Sequence, residues 1–119
     1  MKGSYEGIGQ WAATFACGET VEGEMVKICG NGEVGACAAG EAFCGQVLSV
    51  GRDGSACAVA LGGMVTAAYS GAAPGLGWCG LTADGEGGVQ ADTEDTQTAG
   101  RSYLVVDVDE SGKTVTFAL

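Results

Sequence analysis

The sequence predicts an all-β fold, a small antiparallel β-barrel or sandwich of short strands with Gly-rich hairpins and an N-terminal arm. Three observations predict it. The 119 residues include 23 Gly and one Pro, so the chain turns often and packs small side chains. Glycine interrupts nearly every stretch long enough for apolar residues to recur at i, i+3, i+4 and i+7, so no helix declares itself. In place of that periodicity, short runs of Val, Leu, Ala, Cys or aromatic residues each end in a glycine turn, at the even spacing of a small barrel.

Residues 1–17 read as an N-terminal arm and first strand, and residues 18–119 as a single β-barrel domain; nothing in "MKGSYEGIGQ" repeats the strand pattern. "EMVKICGNGEVGAC" reads as strand, Asn-Gly turn, strand. "GQVLSVGRDGSACAVAL" repeats this with Asp53-Gly54, and "GWCGLTADGEGGVQA" with Asp84-Gly85. Asn-Gly and Asp-Gly supply the positive φ angles that tight hairpins require. Residues 84–100 are acidic and polar, and read as an exposed loop crossing to the last hairpin.

That hairpin, "SYLVVDVDESGKTVTFAL", is the clearest. Leu104, Val106 and Val108 alternate with Tyr103, Val105, Asp107 and Asp109, and Val115, Phe117 and Leu119 alternate with Thr114, Thr116 and Ala118. Alternation at period two gives each strand one apolar face. At the turn, Asp109 and Ser111 are expected to bond the backbone, with Gly112 left-handed.

Composition bounds the chemistry. Five basic and 15 acidic residues and no His give a formal charge of -10, which argues against a nucleic-acid partner, since phosphate binding draws on clustered Lys and Arg. No signal-peptide core is visible at the N-terminus. Residues 55–83 carry no charge, but they are mostly Gly, Ala, Ser and Thr, and they read as strands with turns rather than a membrane span. The six cysteines, Cys17, Cys29, Cys37, Cys44, Cys57 and Cys79, show no C-x-x-C spacing and mostly lie among apolar neighbours; they read as reduced, buried thiols.

Three motif matches dissolve on spacing. "DVDESGKT" ends like a phosphate loop, but Asp107 stands where the first glycine belongs and "VTFAL" follows as a strand. Asp107, Asp109, Ser111 and Gly112 match the first half of a calcium loop, yet Ala118 occupies the place of its bidentate Glu. "GNGEVG" fits a dinucleotide fingerprint, but Gly40 and Gly45 break any helix after it. Without His there is no common general base, and Asp92, Glu94 and Asp95 read as solvating carboxylates. The expectation is a non-catalytic protein without cofactor or bound metal. Trp11 and Trp78 read as core fillers, with one alternative: Tyr5, Ile8 and Trp11 of the arm docking onto another subunit.

Residues 18–119 resemble small proteins encoded beside the major capsid protein in tailed-phage structural gene clusters. The resemblance is carried by a "G-x-x-V" entry, "G-x-V-L-S-V" at 45–50, "V-x-L-G-G-x-V-T" at 59–66 and the closing "Y-L-V-V-D-V-D-x-x-x-x-T-V-T-F-x-L" hairpin. It implies a head-decoration or capsid-cement protein: a β-barrel, often a trimer, that binds the major capsid protein on the outer shell. Such a protein is made in the bacterial host cytoplasm and resides on the virion, with no nucleic-acid or membrane partner. The chain departs from the pattern in its many cysteines. The competing expectations are a self-assembling β subunit of a filament or surface array, and a small metal- or ligand-binding β domain.

Overall fold

The computed structural model of the chain describes residues 9–18, 20–92 and 101–119. All regular structure among them is β. The strands are β1 (Trp11–Cys17), β2 (Met25–Gly30), β3 (Glu33–Ala36), β4 (Gly45–Val50), β5 (Ala56–Gly62), β6 (Met64–Ser70), β7 (Gly77–Ala83), β8 (Val89–Ala91), β9 (Arg101–Asp109) and β10 (Thr114–Ala118). They close into two small barrels. The first runs β1-β3-β2-β4-β5 and returns to β1; the second runs β6-β8-β7-β9-β10 and returns to β6. In each ring one pair is parallel, β1 with β3 and β6 with β8, and the others are antiparallel.

The second ring repeats the first strand for strand, and the equivalence reaches individual residues. Val47, Val50, Gly54, Ala60 and Leu61 recur at one constant offset as Val105, Val108, Gly112, Ala118 and Leu119. The pairs Val47–Val59 and Val50–Cys57 recur as Val105–Phe117 and Val108–Val115. Both hairpins bulge at the same place, Leu48 in β4 and Val106 in β9. The Cys17 amide donates to the Ser55 carbonyl at 3.0 Å, and its counterpart, the Tyr69 amide, to Lys113 at 3.0 Å. Where the sequence suggested one barrel over 18–119, the structure has two rings, and β1 is an integral strand of the first.

The four hairpins anticipated from the sequence are present as β2–β3, β4–β5, β7–β8 and β9–β10. Three details differ. In the last turn the left-handed residue is Lys113 (φ 56) rather than Gly112. Asp109 Oδ1 accepts from the Ser111 and Gly112 amides and from Ser111 Oγ, a fan of bonds that winds the turn one residue further before it reverses. In β9 the strict alternation fails: Tyr103 and Val105 face inward and Leu104 outward, and the bulge at Val106 shifts the phase so that Val108 packs on the core. Residues 84–100 are not all exposed loop, because Val89–Ala91 form β8, with Val89 fully buried beside Tyr69 of β6. Residues 93–100 lie outside the described residues.

Each ring is filled by its inward row. The first holds Cys17, Val26, Val34, Val47, Cys57 and Val59. The second holds larger side chains, among them Tyr69, Leu81, Tyr103 and Phe117, and borrows Phe43 from the β3–β4 loop of the first. Phe43 stacks on Tyr103 at 5.1 Å between centroids, and Tyr103 meets Phe117 edge-on at 5.4 Å. Such aromatic pairs add about 0.5–1.5 kcal/mol beyond the area they bury. A single residue, Gly63, joins the rings. It sits at φ 91, and a side chain there would overlap the backbone of Gln10, so only glycine makes this corner.

Candidate interaction surface

The residues whose types suggest chemistry do not converge. Among the described residues no group of three or more Cys, Asp or Glu forms a metal-binding cluster. The phosphate-loop and calcium-loop look-alikes are one hairpin turn, in which Asp109 is spent on backbone bonds and Lys113 lies over the Tyr69 ring at 5.5 Å. "GNGEVG" is the β2–β3 turn. Asp92 follows β8, its amide bonded to the Gly80 carbonyl, while Glu94 and Asp95 lie outside the described residues. Among the described residues no helix is long and apolar enough to cross a membrane; residues 55–83 are chiefly β5, β6 and β7.

All six cysteines are free thiols. Cys17, Cys37 and Cys57 are buried, but Cys29 is exposed on β2, contrary to the expectation of uniformly buried thiols. Desolvation pushes the Cys37 thiol up to about 11, with the nearby Glu41 charge adding to it. Desolvation, helped by the adjoining Cys17 thiol, does the same to Cys57, again to about 11. Thiolate, the reactive form, is therefore suppressed at both.

The seam between the rings is polar at its rim and apolar within. Backbone bonds cross it from Met25 to Gly87, from Gly40 to Ala83 and from Ala83 to Glu41. The buried Gln46 side chain donates to the carbonyls of Gly23 and Thr66, 3.1 and 2.8 Å away. Glu41 binds Lys27 Nζ with both oxygens (2.8 and 2.9 Å) and accepts the Ala38 amide. The hydrogen bond to Lys27 holds the Glu41 carboxyl below its ordinary range, and the same bond raises Lys27. A groove of about 370 Å³ opens along the seam between Val21–Glu24, Thr66–Ala68 and Glu86–Gly88.

What stands out on the surface is apolar. Trp78 is 74% exposed, Leu76 70%, Trp11 61% and Ile28 52%. Neither tryptophan fills the core, which corrects the sequence expectation. Both indoles fall on outward positions of their strands, where period-two alternation turns them away from the ring interiors. Trp11 lies against Gly62, where any side chain would overlap its indole. Tyr5 and Ile8, its companions in the arm, lie outside the described residues.

Trp78 belongs to a row. It pairs across strands with Leu104, Leu104 with Ala118, and Ala118 with Met64, so four apolar side chains cross β7, β9, β10 and β6 on the outer face of the second ring. Cross-strand neighbours stand about 5 Å apart, making the row a continuous band. Sequence reasoning missed it because hydrophobicity argues for Trp78 in the core, and simple alternation puts Leu104 on the apolar, core-facing side of its strand. No family model matches the chain, and no curated protein matches it.

Proposed function

We propose that the protein is a phage capsid decoration protein, a structural and non-catalytic cement that binds the major capsid protein on the outer face of the head. The observation that carries this reading is the exposed apolar row on a closed ring. A closed barrel has no free sheet edge to offer a partner. Adhesion must then use a face, and the Trp78–Leu104 band is an apolar face on an otherwise acidic molecule. Large aromatic side chains supply the anchoring energy of most protein contacts. The sequence resemblance over residues 18–119 points the same way. A formal charge of -10 suits an outer surface that does not compete for packaged DNA.

The test is co-sedimentation of the purified protein with expanded, undecorated heads assembled from the major capsid protein of its own gene cluster. The reading expects saturable binding at a fixed ratio to capsid subunits and heads that withstand heating or chelation better when coated. No binding to those heads overturns it.

A further inference from the structure

The duplicated rings are unequal in one respect. The row Trp78–Leu104–Ala118–Met64 has a counterpart in the first ring: Met25 pairs with Gln46, Gln46 with Ala60, and Ala60 with Ala12. The equivalence is fixed by pairing, since Leu104 and Ala118 occupy the β9–β10 positions that Gln46 and Ala60 occupy in β4–β5. In the first ring three of the four members are covered, and Ala12 at the end of the row is exposed. Met25 is 1% exposed, Gln46 7% and Ala60 0%, because the second ring lies over them and Met25 and Ala60 pack into its core cluster. In the second ring Trp78 and Leu104 of the same row are exposed and Ala118 and Met64 half-buried, and the row is more apolar than its covered counterpart.

The covering surface repeats in the same way. The second ring covers the first with the Thr66 carbonyl, with Ala83 and with the turn at Glu86–Gly88. Strand pairing makes Thr14 the counterpart of Thr66 and Ile28 the counterpart of Ala83. Ala83 is 2% exposed, inside the seam, whereas its counterpart Ile28 is 52% exposed; Thr14 and Thr66 are both exposed, Thr66 reaching the seam through its carbonyl. The chain thus ends in two unlike faces, each the open copy of a face that is joined within the molecule.

We infer that a second copy of this chain docks its first ring, through Ile28 and Thr14, onto the Trp78–Leu104 row, continuing from molecule to molecule the seam already built between the rings. The contact is head-to-tail: one patch meets a different patch. Repetition closes into a ring of subunits or runs on as a fibre, according to the rotation per step. The inference rests on the duplicated seam and not on the capsid reading, and it competes with that reading for one face, since a row that holds a second copy is closed to the head. A protein that self-associates this way but ignores heads contradicts only the proposed function, and one that binds heads as a monomer contradicts only this inference.

The experiment is sedimentation velocity on the wild-type chain and on two variants, Trp78→Glu and Ile28→Glu. Both side chains point to solvent, so far-UV circular dichroism and the melting profile should match wild type and show that folding is intact. Wild type is expected to sediment as an oligomer. Each variant should be monomeric where wild type is assembled, its self-association weakened roughly thirtyfold or more, the loss that follows removal of a hot-spot side chain. Mixing the two is decisive. The intact row of the Ile28 variant meets the intact first ring of the Trp78 variant, giving a one-to-one dimer that grows no further. A wild-type chain that stays monomeric into the high micromolar range, an Ile28 variant that assembles like wild type, or a mixture that forms no dimer overturns the inference.

Discussion

Phe43 shows how much one residue carries. It leaves the first ring on the β3–β4 loop and is 6% exposed against Tyr103 and Phe117 of the second. The first ring's own core is built of Val and Cys, so this ring stack, with Met25, supplies large apolar side chains across the seam. Phe43→Ala is expected to lower unfolding free energy by about 3–5 kcal/mol, the usual cost of emptying a buried aromatic site. Denaturant titration measures it, and a loss below about 1 kcal/mol would mean that the loop closes over the gap or that the stack contributes little. Residue identity alone did not reveal this role. "EAFCG" looks like the middle of a barrel strand, and the partners of Phe43 come from β9 and β10, far along the chain. The tryptophans misled for the opposite reason. Hydrophobicity argues for burial, but whether an outward indole is buried depends on what lies over that face.

At the scale of elements, the hairpins were legible because their signals are local. Gly32, Gly54 and Gly85 all take the positive φ that Asn-Gly and Asp-Gly announced. β8 was not legible. It is three residues long, and it pairs in parallel with β6, a partner that no turn signal marks. The bulges at Leu48 and Val106 were equally silent, since an extra residue alters the phase of alternation without altering composition.

The β3–β4 loop also carries a pH dependence. The Glu41 carboxyl is depressed, first by its hydrogen bond to Lys27 and then by the Ala38 amide. A group depressed in the folded state stabilises the fold above its unfolded value and loses that contribution as pH falls through the folded one. Lys27, raised by the same pair, contributes below its unfolded value and loses the contribution as pH rises through the folded one. Stability should therefore fall on acidification below the ordinary carboxylate range. Glu41→Gln, which keeps shape but not charge, should flatten part of that fall. Melting profiles from pH 7 to acid, wild type against variant, check this, and superimposable slopes would remove Glu41 from the account.

For the whole molecule, the organising fact is duplication. The recurrence of Val47, Val50, Gly54, Ala60 and Leu61 in the last hairpin was written in the sequence, but the intervening strands diverge enough to hide it. β2 meets β4 over two pairs, whereas β7 meets β9 over five. Two equivalent rings joined through Gly63 bury one outer row and leave its twin open. That asymmetry leaves the apolar side chains of Trp78 and Leu104 open to solvent on the second ring.

The most direct measurement of that claim is the fluorescence of Trp78 itself. In a Trp11→Phe variant, Trp78 is the sole indole, 74% exposed in the single chain. Its emission should shift to the blue and become shielded from acrylamide as protein concentration rises through assembly. An emission maximum and quenching constant that stay at solvent-exposed values in the assembled protein would contradict the account, because the row would then be covered by nothing.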